Sequence, residues 1–173
     1  MAADRTHPFD VVVALRLLTP STTLAATAAE LAVAPSQVHA SLGRLEGAGL
    51  LKPGTRSTNT RALGEFILFG VRYAFPALRG RLVAGVPTAH SAPALAGEID
   101  AVDVVVWPAP LDRDAVRGFS IKPLYAKAPR LVSASPGTYR LLTLVDAMRL
   151  GDPRSRNAAR AQLEQALGWR AGT

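Results

Sequence analysis

Apolar positions along this chain come in two textures, dense helical stripes in the first third and the last quarter, and short broken runs between them. From Phe9 to Leu18 only Asp10 and Arg16 are polar. Pro8 stands where a first helical turn has no use for an N–H. This predicts a helix over 9–18 that is buried from more than one direction, stopped by Thr19-Pro20. Ser21, Thr22 and Thr23 offer N-cap oxygens to a short Ala-rich helix, Leu24–Leu31. After Ala32-Val33-Ala34, Pro35 opens a third helix, Pro35–Gly47. There Val38, Leu42 and Leu45 recur at intervals of four and three and mark one buried face. Gly47 and Gly49 end it. Leu50-Leu51 is short and apolar, and Lys52–Asn59 is turn-rich, long enough for a loop or a tiny hairpin. Asn59 caps a further helix from Thr60 to about Val71.

Beyond Tyr73, prolines and glycines cut the chain into short pieces. Ala101–Trp107, rich in β-branched residues, is the strongest strand candidate; Arg72–Phe75 and Leu82–Val86 are weaker ones. Helical periodicity returns over Thr138–Leu150, where Leu141, Val145 and Met148 line one face and Leu142 and Leu144 widen it. Gly151 terminates that helix, and Asp152-Pro153 caps a last one, about Arg154–Leu167.

Within the first third, small Ala28 allows two helices to approach closely, and Leu31 and Val33 plug the angle between them. Val38, Leu42 and Leu45 seat the second helix on the core, so Ser36, Gln37, His39, Ala40 and Arg44 face outward. Over about residues 9–61 this arrangement, ending in Gly49-Leu50-Leu51, resembles the winged helix-turn-helix of MarR-type bacterial transcription regulators. Against that family's pattern, Ala32 replaces a common glycine at the turn, Ala34 a capping Ser or Thr, and Ala40 a common arginine. Gly43 weakens the helix centre by about 1 kcal/mol.

The resemblance, together with the element pattern beyond it, implies an α+β, mainly α fold. Residues 8–72 would form a winged helix-turn-helix DNA-binding domain, and residues 73–173 a small mixed α/β region ending in two helices. It implies that helix 35–47 enters the major groove and reads base edges through Ser36, Gln37, His39, Ala40 and Arg44. Lys52, Arg56 and Arg61 fall where wing and following helix would meet phosphates. The function expected is a transcriptional regulator, acting as a repressor on double-stranded DNA. Its C-terminal region would serve dimerisation, ligand sensing or partner binding. The alternative is a protein-interaction module, such as an antitoxin or complex subunit, on the same scaffold.

Composition bears on this in three ways. The 173 residues are 49% apolar with a net charge of +7, which allows a sizeable core and favours an anionic partner. The surplus is uneven: residues 1–61 carry 6 basic and 4 acidic side chains, residues 101–173 carry 11 and 6. Cysteine is absent, so disulfides, Cys-ligated metals and thiol nucleophiles are excluded. The N-terminus lacks a signal-peptide pattern, and no apolar run approaches the roughly 20 residues of a membrane span, which predicts a soluble cytoplasmic protein.

No cofactor and no enzymatic activity are expected. The sequence lacks GxxxxGK[ST], HExxH and GxSxG, and His7, His39 and His90 are isolated. Pro87–Ser91 reads as a loop rather than a His/Ser site, and Asp100 with Asp103 lacks the surroundings of a Mg²⁺ site. Arg154, Arg156 and Arg160 read as solvated surface on the last helix. Tyr73, Trp107, Tyr125 and Tyr139 read as core or interface aromatics. Finally, the all-round apolar character of helices 9–18 and 138–150 predicts a homodimer that buries them, with Val12, Leu15, Leu142 and Val145 at its interface.

Overall fold

The computed structural model describes residues 5–19, 23–99, 103–110, 115–150, 152–170 and 172. The fold is mixed α/β and mainly helical, with one small three-stranded sheet.

Helix α1 (Pro8–Arg16) begins at the expected proline, and the backbone N–H of His7 donates to Asp10 Oδ2 at 2.7 Å. It ends two residues earlier than the apolar run, because Leu18 N–H turns back to Leu15 O and the Arg16 guanidinium reaches Thr19. Helix α2 (Leu24–Glu30) is capped by Thr23, whose hydroxyl accepts from Ala26 N–H at 3.1 Å. Pro20, Ser21 and Thr22 lie outside the described residues. Helix α3 (Pro35–Gly47) has the expected bounds. Gly49, at φ +73°, closes it, with Gly49 N–H to Glu46 O and Leu50 N–H to Leu45 O. Only a residue tolerant of left-handed backbone makes that turn without strain.

Leu51 and Thr58 form one antiparallel bridge, so the turn-rich stretch is a minimal hairpin, tied to α1 by Thr58 Oγ1 donating to Ala14 O at 3.1 Å. Asn59 caps α4 (Thr60–Glu65), which runs through a π-turn (Phe66–Gly70) into α5 (Val71–Ala74). Arg72–Phe75, expected as a weak strand, is therefore the end of this helical run. Val71 is fully buried where α5 packs on the late helix, and tertiary contact overrides local propensity.

The sheet contains β1 (Leu82–Pro87), β2 (Val105–Pro108) and β3 (Val116–Ser120). Residues 101 and 102 of the expected 101–107 strand lie outside the described residues, and β2 takes up its end. β3 was not legible in the sequence. β1 is antiparallel to both partners, β2 is parallel to β3, and so the three strands close on one another. Two glycines make the closure tight. A Cβ on Gly85 would sit 2.1 Å from Trp107 O, and one on Gly118 would sit 2.7 Å from Val104 O.

A 3-10 turn (Ala128–Arg130) leads into α6 (Leu131–Ala134), then α7 (Pro136–Leu150) and α8 (Pro153–Leu167). α7 starts two residues before the expected Thr138; Gly151, its expected terminator, lies outside the described residues. Asp152 caps α8 by accepting from Arg154 and Ser155 N–H at 3.3 and 3.1 Å.

The apolar core runs unbroken from Val11 to Leu167. α1 packs against both α3 and α7, and α4 against α8. The expected boundary between residues 72 and 73 thus falls inside a helix, with one core on both sides of it. Val12, Leu15, Leu142 and Val145 are at most 1% exposed within the single chain. The apolar surface that argued for a second subunit is covered internally, so the interface expected at these residues is corrected. Each such side chain contributes roughly 1.5–3 kcal/mol by leaving water.

Asp146 anchors a polar knot inside this core. Its carboxylate accepts from Trp107 Nε1 (2.5 Å), Thr88 Oγ1 (2.8 Å) and Arg149 Nη1 (2.5 Å). Arg149 also donates to Phe75 O (2.7 Å) and Lys122 O (3.2 Å). The knot joins α7 to β1, β2 and the end of α5.

Candidate nucleic-acid interface

α3 rests on α1 and α2 through Val38, Ser41 and Leu45, with Leu42 half-buried. The expected apolar stripe is the buried face. Ser36, Gln37, His39, Ala40 and Gly43 are exposed along the other side. Past the C-terminal end of α3, the hairpin carries exposed Lys52 and Arg56, and α4 begins with exposed Arg61. Glu46 Oε1 accepts Gly54 N–H at 2.8 Å, which fixes the hairpin tip against the end of α3.

Two of the expected base-reading side chains are committed elsewhere. Arg44 does not face outward with a free head. Its Nε and Nη2 donate to the two oxygens of Asp10 at 2.9 and 2.7 Å, and its side chain is 14% exposed against 0% for Asp10. Ser41 Oγ donates to the same carboxylate at 2.7 Å. Burial alone would raise the Asp10 pKa. The Arg44 hydrogen bonds, the His7 N–H, the Ser41 hydroxyl and the Arg44 charge outweigh it, and hold the carboxyl below its ordinary value. A bidentate Arg–carboxylate pair with partly buried members is among the stronger polar contacts. Here it locks α3 to α1.

Gln37 is the second correction. Its Oε1 accepts Ala34 N–H at 3.1 Å, the reciprocal half of a capping box whose other half, a side-chain acceptor at position 34, alanine cannot provide. A bidentate amide–adenine contact needs both ends of the side chain, and one end is in use. Arg61, third, shares its charge with Glu65 at 3.2 Å, both well exposed. Ser36, His39, Ala40, Lys52 and Arg56 lie where expected, at the surface on or just beyond α3.

The turn between α2 and α3 is unusual. Ala32 has φ +53°, the left-handed region where the expected pattern places glycine. Its carbonyl accepts from Lys127 Nζ at 2.5 Å, across 95 residues of sequence. The end of α2 is also fixed to α1, because Arg16 Nε and Nη2 grip Glu30 at 2.6 and 2.8 Å and lower its pKa against a smaller effect of burial. The sequence reading missed Asp10, Ser41 and Lys127. Asp10 alone carried a signal, an acid inside an otherwise apolar helix.

The residues considered for catalysis have these surroundings. His90 is buried, with Nε2 2.8 Å from Asp103 O, and Ser91 Oγ accepts Val105 N–H at 2.9 Å. Asp100 lies outside the described residues, and Asp103 pairs with Arg79 at 2.9 Å. Among the described residues no group of three or more His, Asp or Glu could hold a metal ion. No helix among them is long and apolar enough to cross a membrane. No protein-family model, no curated protein and no solved structure matches the chain.

Proposed function

We propose that this chain is a transcriptional regulator, expected to act as a repressor, that binds double-stranded DNA. α2 and α3 form a helix-turn-helix, α3 lies in the major groove, and the 51–58 hairpin acts as a short wing. The observation that carries the reading is the exposed face of α3, polar or small from Ser36 to Gly43, held rigid by Arg44 and Asp10 and followed by cationic Lys52 and Arg56. Small Ala40 and Gly43 let the helix backbone approach base edges, and Ser36 and His39 carry the polar contacts. Backbone charge from the hairpin dominates affinity.

The test is salt-dependent binding to genomic fragments, followed by sequencing of what is retained. Replacing His39 with Ala is expected to relax the sequence preference. Replacing Lys52 or Arg56 with Gln is expected to weaken all sequences alike and to shallow the salt slope by about 1 each. Retention of no fragment at low salt sinks the proposal. Palindromic half-sites require two copies about 34 Å apart. With α1 and α7 used inside the chain, a second copy must meet elsewhere, and light scattering of the parent decides whether it does.

A second reading draws on one observation. Nothing lies within 4 Å of where a Cβ would stand on Gly43 or Gly47, so α3 presents a low, open face. Such a face also fits a partner helix, as in an antitoxin or a complex subunit. Stoichiometric co-purification with another protein, without DNA retention, selects that reading.

A further inference from the structure

We propose that Lys127 belongs to the DNA interface and supplies, from the far end of the chain, the cation that the N-terminal end of α3 lacks. This rests on the DNA-binding reading above. α3 itself carries only one formal positive charge, Arg44, and Asp10 takes it up. Lys52 and Arg56 lie beyond its C-terminal end. A helix of 13 residues is about 20 Å long at 1.5 Å per residue, so cations at one end leave the other uncompensated across a groove about 12 Å wide.

Lys127 fills that position. Its ammonium donates to Ala32 O at 2.5 Å. Ala32 precedes Pro35, the first residue of α3, by three positions, so the Cα of Ala32 lies within about 11 Å of the helix start, and the ammonium is held one hydrogen bond beyond its carbonyl. The acceptor is a neutral carbonyl, which orients the ammonium without cancelling its charge. The neighbouring acid in the chain, Glu30, is already gripped by Arg16 at 2.6 Å. Lys127 is exposed. The same contact closes the turn that aims α3, so one side chain both sets the helix and extends its charged footprint. The placement also answers the charge asymmetry of the sequence: a share of the C-terminal surplus is folded back onto the helix-turn-helix.

The experiment is a salt titration of binding to a mixed-sequence DNA duplex two helical turns long, with parent, K127Q and K127R, plus the urea unfolding midpoint of each. K127Q is expected to lower the slope of log affinity against log salt by about 0.9, and K127R to retain the parent slope. An unchanged slope in K127Q overturns the proposal, whether or not its unfolding midpoint falls; a fall alone marks a purely structural clamp. A parent that fails to bind the duplex at low salt overturns the DNA-binding reading itself, and that outcome is distinct from a parent that binds with a slope indifferent to Lys127.

Discussion

Among the described residues two buried carboxylates, Asp10 and Asp146, meet two arginines, and they are used differently. Asp146 and Arg149 stand three residues apart on α7, with side chains 1% and 4% exposed. Their hydrogen bonds run to Trp107, Thr88, Phe75 and Lys122 in the core knot. Asp10 and Arg44 stand 34 residues apart, and the arginine keeps an edge in solvent. Burial pushes the Asp146 carboxyl above its ordinary value against the Arg149 charge and three hydrogen bonds, whereas the contacts around Asp10 bring it below. The same pair of side chains thus knits a core in one place and aims a surface helix in the other. Desolvation decides which: a pair with both members buried loses most when either is deleted, while a rim pair can fall back on water.

The largest expected effect follows from that asymmetry. Asp146→Ala leaves the Arg149 guanidinium buried without its counter-charge and is expected to cost about 3–5 kcal/mol in urea unfolding. Asp10→Ala, in which Arg44 can turn to solvent, is expected to cost about 1.5–3 kcal/mol. An inverted order of the two would break the comparison. Arg44→Ala sharpens it: stability is expected to fall by more than in Asp10→Ala, because the fully buried Asp10 carboxylate loses its counter-charge, while the base preference of any retained DNA stays unchanged, because the side chain is a brace.

Acid titration separates the pairs by sign. The folded pKa of Asp10 lies below its unfolded value of about 3.9. Its contribution is therefore present above about pH 4 and is lost as pH falls through the folded value. Asp10→Asn is expected to flatten the acid limb of the stability profile below about pH 4. The folded pKa of Asp146 is raised, so its ionisation costs stability as pH rises from about 4 upward. Asp146→Asn is expected to remove that opposing slope and make the acid loss steeper. Urea midpoints across a pH series check both, and equal changes in the two variants would contradict the assignment.

A smaller effect is expected at Tyr125. Its ring packs on Phe9 at 5.7 Å between centroids, and its hydroxyl is buried with no hydrogen-bond partner among the described residues. Burial pushes its pKa up to about 12, against a smaller opposing effect of Arg130. Tyr125→Phe removes the unsatisfied group and is expected to raise stability by about 1 kcal/mol. At the bottom of the scale, Lys52→Gln and Arg56→Gln are expected to change stability by less than about 0.5 kcal/mol.

The helices were legible in the sequence because their signals are local: Pro8, Pro35, Asn59 and Asp152 mark starts, and the 38–42–45 spacing marks a face. β3 was not. Val116-Arg117-Gly118-Phe119-Ser120 has no clean alternation, and Gly118 is there for the close approach of Val104, visible only once the strands are together. The position of Arg44 off the apolar stripe was correct, but its role depends on Asp10, which no window around α3 contains. Lys127 is further still. Local periodicity tells which face a residue takes; it is silent on a long side chain whose partner arrives from another element. The surplus of apolar residues on α1 was also visible, and its cover was sought in a second subunit although α7 of the same chain provides it.

The closed arrangement of β1, β2 and β3 has a consequence for association. An open three-stranded sheet has two outer strands with a row of unused N–H and C=O groups, and such rows template the addition of strands from other chains. Here each strand pairs with both of the other two. A small sheet in a chain this rich in valine and alanine would otherwise be a seed for stacking. Closed on itself, the sheet has among the described residues no strand paired on one side only, which removes the full outer row along which a growing fibre would extend.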